Sequence, residues 1–202
     1  MITTIIFDLG GVLIDWNPKY LYKKIFKDEA EMEDFLQKIC TGDWNEEQDG
    51  GRPLSEATGL LVKEYPQHEE NIRAYYGRWP EMLGGVIEGT VEIFRKLKES
   101  KQFKLYALTN WSAETFPIAQ KRFDFLNWFD GVVVSGTEKM RKPVPEFYRL
   151  LLDRYNIKAT EALFIDDNKR NTDAAEQAGI ASIVFTSPEK LVENLHLKGI
   201  KI

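Results

Sequence analysis

The sequence predicts an α/β fold in which a parallel sheet carries helices on both of its faces. Beyond residue 85, short apolar runs typical of buried strands alternate with longer segments of helical periodicity. One more buried strand is indicated at residues 5–7, where β-branched and aromatic residues precede a pair of glycines. Between these parts, residues 17–84 show helical patterns and no convincing strand, which predicts an all-helical insertion after the first strand.

The strands of the predicted sheet are short apolar runs at residues 5–7, 103–108, 131–134, 163–165 and 182–185. Helices are predicted between and after them. Thr90 and Ser112 are candidate N-caps, and Pro145 suits the first turn of a helix. A helix over 172–178 is stopped by Gly179, and the last helix begins near residue 187. Repeated strand–helix units of this kind favour a parallel sheet.

The insertion is predicted to contain three helices. Asp28 and Glu31 form a variant of the capping box ahead of an apolar stripe, and further helices are predicted over 53–65 and 69–79. Residues 42–52 are polar and contain three glycines, so they are predicted to form a loop. Trp44 in this loop and Trp111 in the main sheet domain are candidates for contact with a ligand. The single cysteine, Cys40, lies on the apolar stripe and is predicted to be buried.

Composition limits the classes of function. The net charge of −5 and the isoelectric point near 5.3 argue against nucleic acid or an anionic membrane as a partner. One cysteine allows no disulfide framework within the chain, which suits a reducing cytosol and predicts a cytoplasmic protein. No apolar run is long enough to span a bilayer. The oligomeric state is left open.

Chemically active side chains stand at or beyond the carboxyl ends of four apolar runs. They are an acid, a hydroxyl with an amide, a loop lysine and an acid pair, namely Asp8, Thr109, Asn110, Lys142, Asp166 and Asp167. If the strands lie parallel, these side chains converge on one edge of the sheet, which is where such folds place their sites. That edge would hold carboxylates for a hard cation, a nucleophilic carboxylate, and donors for an anion.

This ordered set resembles the four motifs of the haloacid dehalogenase-like (HAD) hydrolase superfamily, in the branch with a helical cap between the first two motifs. The resemblance covers nearly the whole chain. It implies a Rossmann-like core at 1–16 and 85–202 and a cap at 17–84. It also implies a Mg²⁺ site and a small phosphorylated substrate, such as a sugar phosphate.

The resemblance further implies roles for individual residues. Asp8 would be the nucleophile that forms an aspartyl phosphate, and Thr109, Asn110 and Lys142 would hold the phosphoryl group. The metal would be bound by Asp8, by the carbonyl of Gly10 and by the acid pair, with Asp167 favoured over Asp166 as the direct ligand. Two residues after the nucleophile, most phosphatases of the family carry a second Asp as general acid and base.

That second position is Gly10 in this chain, so the acid is missing from its usual place. Asp15, or an acid of the cap such as Asp49, could substitute. Gly10 also leaves open a metal-free 2-haloacid dehalogenase that uses Asp8 as nucleophile, although the acid pair favours metal and phosphate. A third possibility is a weakly active phosphate-binding or regulatory protein. A phosphatase is the favoured interpretation.

Overall fold

A computed structural model describes all 202 residues, and its central feature is a five-stranded parallel sheet. The spatial order of the strands is β5-β4-β1-β6-β7. The strands are β1 (Thr4–Phe7), β4 (Lys104–Thr109), β5 (Gly131–Val134), β6 (Ala162–Asp166) and β7 (Ala181–Val184). Each predicted strand is therefore present to within one residue at either end. The α/β fold class is confirmed.

Alternate residues of the strands enter two separate apolar clusters, because successive side chains of a strand point to opposite faces of the sheet. Ile5 and Phe7 belong to the larger cluster and Ile6 to the smaller one. On the first face pack α6 (Glu88–Ser100) and α11 (Pro188–Leu197), and on the second α9 (Pro145–Arg154) and α10 (Lys169–Gln177). No helix is long and apolar enough to cross a membrane.

The register of the parallel strands brings their carboxyl ends together. Phe7 is paired with Ala107 of β4 and with Ile165 of β6, so β1 ends within two residues of the ends of both neighbours. Asp8 directly follows β1, while Thr109 and Asp166 are the last residues of β4 and β6. The sequence prediction that these residues share one edge of the sheet is consistent with this register.

The segment between β1 and α6 is framed by a two-stranded antiparallel ribbon that sequence analysis missed, formed by β2 (Ile14–Trp16) and β3 (Leu83–Val86). Its strands have only three and four residues, and β3 contains two glycines, which leaves little strand signal. Between them lie five helices: α1 (Lys19–Tyr22), α2 (Glu29–Lys38), α3 (Gly42–Asp49), α4 (Leu54–Glu64) and α5 (Glu69–Gly77).

The helical segment shares its core with the sheet domain. Tyr22, Phe35 and Tyr75 of the helical segment belong to the same buried cluster of 37 residues as Phe7 and Phe94. Cys40 belongs to this cluster as well, as predicted. The two parts of the molecule thus contribute to one continuous apolar interior.

Three local predictions were wrong. Ser112 was predicted as an N-cap, but the helix that follows it begins at Phe116, with Thr115 at the N-cap position. Residues 42–52 were predicted to be a loop, but most of them form α3, whose N-cap is Thr41 with its side chain accepting from the Trp44 N–H. Thr90 was predicted as an N-cap, but α6 begins two residues earlier, at Glu88, and Thr90 is buried within it. The remaining α-helices, α7 (Phe116–Arg122) and α8 (Ser135–Glu138), lie between β4 and α9.

Candidate active site

Asp8 is held at the end of β1 with one carboxylate oxygen fully engaged. Its Oδ1 accepts from the Leu9 N–H at 2.7 Å and lies 2.9 Å from Nζ of Lys142. Its Oδ2 has no hydrogen-bond partner in the protein. Burial raises the pKa of Asp8, Lys142 opposes this rise, and Asp166 adds to it. Asp8 therefore needs cations beside it to act as the ionised carboxylate that the sequence predicts.

Lys142 is completely buried and bridges two carboxylates. Its Nζ lies 2.6 Å from Oδ2 of Asp166 as well as 2.9 Å from Asp8. Burial alone would lower the pKa of Lys142, but Asp166 and Asp8 hold it above its usual value. The loop lysine predicted to lie near the nucleophile is thus in direct contact with it.

Asn110 holds Lys142 in place through the backbone. Its Oδ1 accepts from the Lys142 N–H at 2.8 Å and its Nδ2 donates to the Lys142 carbonyl at 3.0 Å. Both polar groups of the Asn110 side chain are occupied by this pairing, so the predicted contact between Asn110 and substrate, which stays a prediction, would use the backbone. Its backbone N–H donates to no other protein group, and Asn110 lines the cavity beside Asp8, so that N–H stays a candidate anion donor.

The two carboxylates of the acid pair differ in their hydrogen bonds, since that of Asp166 is fully hydrogen-bonded and that of Asp167 is free to bind a ligand. Asp166 is fully buried and accepts from Lys142, from the Asn168 N–H at 2.8 Å and from Nδ2 of Asn171 at 3.0 and 3.1 Å. Its hydrogen bonds make Asp166 a residue that positions Lys142, and its role as a metal ligand stays a prediction. Asp167 is exposed and its carboxylate accepts no side-chain hydrogen bond.

The carboxylates of Asp8, Asp166 and Asp167 nevertheless form one cluster, with ligand oxygens all within 4.8 Å of one another. Partial burial of the carboxyl raises the pKa of Asp167, and the neighbouring Asp166 raises it further. Three acids against one lysine leave the cluster negative, which favours a bound cation. The carbonyl of Gly10 accepts no hydrogen bond from the backbone and lies at the same edge.

The two glycines after β1 differ in what they require. Gly11 has φ +73°, and a Cβ there would lie 2.3 Å from Oδ2 of Asp167, so this position needs glycine for both backbone and space. A Cβ at Gly10 would meet nothing within 4 Å. The acid that most phosphatases of the resembled family carry at this position is therefore absent, although a side chain would have room there.

Thr109 ends β4 fully buried, and its Oγ1 has no hydrogen-bond partner. An unpaired buried hydroxyl costs about 1–3 kcal/mol, so its retention at this strand end calls for a reason. Thr109 does not itself line the cavity, whereas the next residue, Asn110, does. The predicted contact between Thr109 and substrate stays a prediction.

A cavity of about 240 Å³ opens above the carboxylate cluster. Asp8, Gly10 and Asp167 form its floor, and four aromatic rings line it: Trp16, Tyr76, Trp79 and Trp111. Trp111 was predicted to line this space and does so, with its Nε1 donating to Oγ1 of Thr115 at 3.1 Å. Sequence analysis did not single out Trp16 and Trp79, which also line the cavity.

Trp44 does not line the cavity, so its predicted contact with substrate is corrected. It packs against the rings of Tyr75 and Tyr76, with centroid distances of 5.1 and 5.4 Å. The residues of α3 that do reach the cavity are Asn45 and Asp49, one and five positions later. Because this segment was predicted to be a loop, sequence analysis could not tell which of its side chains share a helix face that points to the cavity.

These features define a hydrolase, and the chain belongs to the haloacid dehalogenase-like hydrolase family, whose model matches residues 2–179. The chain is 28% identical to a sesquiterpene phosphatase of Aspergillus oryzae, over 90% of this chain and 88% of the relative. It is 29% identical to a phosphorylated carbohydrates phosphatase of Thermotoga maritima, over 89% of this chain and 82% of the relative.

A solved structure supports the same fold. It is a HAD family enzyme from Bacteroides thetaiotaomicron in complex with magnesium and inorganic phosphate. Its TM-score with this chain is 0.69, at 22% identity, with 93% of this chain and 96% of that chain covered. At this level of identity the likeness concerns the fold alone.

Proposed function

We propose that the protein is a Mg²⁺-dependent phosphomonoesterase that cleaves a small phosphorylated metabolite through an aspartyl phosphate on Asp8. The observation that carries the proposal is the cluster of three carboxylates, Asp8, Asp166 and Asp167, opposed by the single cation of Lys142. The phosphatases among its relatives support the choice of phosphate as the substrate group.

The residues present fit a magnesium ion. Oδ2 of Asp8, the carboxylate of Asp167 and the carbonyl of Gly10 are hard oxygen donors without other protein partners, which are the ligands that Mg²⁺ prefers. Asp166 contributes charge and holds Lys142, but its oxygens are already occupied. When bound, the ion would neutralise the repulsion between the nucleophile and the phosphate and polarise the phosphoryl oxygens.

The protein's own residues would perform the remaining chemistry. A carboxylate oxygen of Asp8 attacks phosphorus while the bond to the ester oxygen breaks, leaving an acyl phosphate that water then hydrolyses. Lys142 offsets the negative charge beside Asp8 throughout. The backbone N–H of Asn110, which has no other acceptor, is placed to donate to a phosphoryl oxygen.

The cavity supports a small leaving group. Its volume of about 240 Å³ lies below the range of about 300–1,000 Å³ typical of pockets for drug-sized ligands. Its lining combines aromatic rings with polar groups such as Asn45 and Thr115. A compact molecule with both an apolar face and hydroxyl groups, such as a sugar, suits this lining.

The proposal is tested by measuring phosphate release from p-nitrophenyl phosphate, with Mg²⁺ and with EDTA. Magnesium-dependent release is expected, followed by preference for one substrate in a panel of phosphorylated metabolites. Metal-independent release of chloride from 2-chloropropionate would show a dehalogenase instead. Binding of a phosphate analogue without turnover would show a binding protein, and either result would overturn the proposal.

Replacing Asp167 with alanine is expected to weaken Mg²⁺ binding strongly, because it removes a charge and an open ligand together. The control is Asn168→Ala, which removes only an N-cap, whose side chain accepts from the Arg170 N–H at 3.0 Å. The Mg²⁺ concentration for half-maximal rate, and the rise in melting temperature on adding Mg²⁺, should change in the first variant only. Equal changes in both variants would contradict the assignment.

A further inference from the structure

The proposed reaction needs a proton donor that the core domain does not supply. An ester oxygen that leaves phosphorus as an alkoxide is a poor leaving group unless it is protonated as the bond breaks. Gly10 has no side chain to do this, and Asp8 and Asp167 already serve as nucleophile and metal ligand. Asp49 is the one other acid that lines the cavity.

Asp49 reaches the cavity from the last turn of α3 and lies against the sheet domain. Its backbone carbonyl accepts from Oγ of Ser135 at 2.5 Å, and its carboxylate is close to the backbone N–H of Ser112, two residues after Asn110. Asn110 and Ser112 both line the same cavity as Asp8. The side chain is therefore carried to the reaction site by the packing of α3 on the loops after β4 and β5.

A chain of hydrogen bonds fixes the orientation of this carboxyl. Nε2 of Gln48 donates to Oη of Tyr76, Oη of Tyr76 donates to Oδ1 of Asn45, and Nδ2 of Asn45 donates to Oδ2 of Asp49. These three distances are all 3.0 Å. Of the two carboxylate oxygens this chain uses only Oδ2, and Asp49 lines the cavity, where its carboxyl can meet a ligand. A side chain that merely filled space would not need such a network.

We propose that Asp49 is the general acid and base of the reaction, supplied by the helical segment in place of an acid at Gly10. This inference rests on the proposed phosphatase function. As Asp8 attacks phosphorus, the bond to the ester oxygen breaks and that oxygen takes the proton of Asp49, releasing an alcohol. Asp49, now a carboxylate, then removes a proton from the water that attacks the aspartyl phosphate, which returns Asp8, phosphate and protonated Asp49.

The electrostatic surroundings suit this exchange. The pKa of Asp49 is raised to about 7, chiefly by burial and also by Glu46, against the opposing effects of the Ser112 N–H, Arg141 and Asn45. A carboxyl that exchanges its proton near neutral pH can act as acid in one step and base in the next.

Asp15, the other candidate from the sequence, is less suitable. Its Oδ2 accepts from Oη of Tyr20 at 2.6 Å. The same oxygen packs closely against Gly84, where an added Cβ would lie 2.3 Å from it. Asp15 is not part of the cavity lining. The structure thus separates two acids that the sequence could not rank.

The test is the dependence of rate on the leaving group in Asp49→Asn, which keeps the size of the side chain but cannot donate a carboxylic proton. Hydrolysis of an alkyl phosphate is expected to fall about 10²–10⁴-fold. Hydrolysis of p-nitrophenyl phosphate should fall by much less, because its leaving group needs little protonation. The matched control is Asp43→Asn, an exposed acid on the same helix, which should change neither rate.

Rescue provides a second measurement. Adding Gly10→Asp to the Asp49→Asn variant places an acid where a Cβ has open space, and recovery of alkyl phosphate hydrolysis is the expected result. Equal losses on aryl and alkyl substrates, or no loss on either, would overturn the role of Asp49 while leaving the phosphatase intact. Failure of the phosphatase proposal itself would appear earlier, as a wild-type protein that hydrolyses neither substrate.

Discussion

Replacement of Asp8 by asparagine is expected to abolish turnover, lowering kcat by at least about 10⁴-fold, as happens when a member of a catalytic unit is removed. The neutral amide is a poor nucleophile towards phosphorus and a weaker partner for a cation. The variant should still fold, because burial already disfavours the charged form of Asp8. A wild-type circular dichroism spectrum together with lost phosphate release would bear this out.

Trapping supplies the complementary measurement. Wild-type protein quenched in acid during turnover should carry one phosphoryl group on the peptide that contains Asp8, and the Asp8→Asn protein should carry none. A variant that hydrolyses substrate within tenfold of the wild-type rate would contradict the covalent mechanism.

Replacement of Lys142 by methionine is expected to cost both activity and stability. Methionine fits the space but leaves Asp8 and Asp166 buried side by side without their shared cation. Removal of one partner from a buried ion pair typically destabilises a protein by about 3–5 kcal/mol. The free energy of unfolding, from urea titration without added metal, should fall on this scale.

The control is Lys169→Met, which removes an exposed lysine paired with Asp173 on one helix. Such pairs contribute at most about 1 kcal/mol, so this variant should remain close to wild type in stability. If the two methionine variants lost the same stability, Lys142 would not be the buried cation on which the carboxylate cluster depends.

Much of the sheet and of its active edge could be predicted from sequence, because short apolar runs that end in polar residues depend on local pattern alone. Asp8, Lys142 and Asp167 follow from that pattern, since parallel strands bring their carboxyl ends together whatever the details of packing. Asn110 and Asp166 were expected at this edge, but their hydrogen bonds to Lys142 were not predicted, because such bonds depend on side-chain rotamers that no spacing in the sequence encodes.

The acid of α3 could be named as a candidate from sequence, but its position at the cavity could not be predicted, for a different reason. Helix α3 is polar and contains few apolar residues, so its periodicity is weak and it was predicted to be a loop. Contacts distant in sequence hold it on the sheet domain, above all Glu46 with Arg141 at 3.2 Å and with Arg170 at 2.8 Å. Asp49 reaches the cavity through these contacts, about 40 residues of sequence away from Asp8.

The continuous apolar core has a consequence for how this enzyme can acquire a new substrate. Because Tyr22, Phe35 and Tyr75 share one buried cluster with Phe7 and Phe94, the helical segment is no detachable module. Exchanging it whole for that of a relative would mismatch the buried surface on both sides. A single substitution at a cavity position changes far less of that buried surface than an exchange of the whole segment does. Selectivity for substrate can therefore change one residue at a time while the fold is kept.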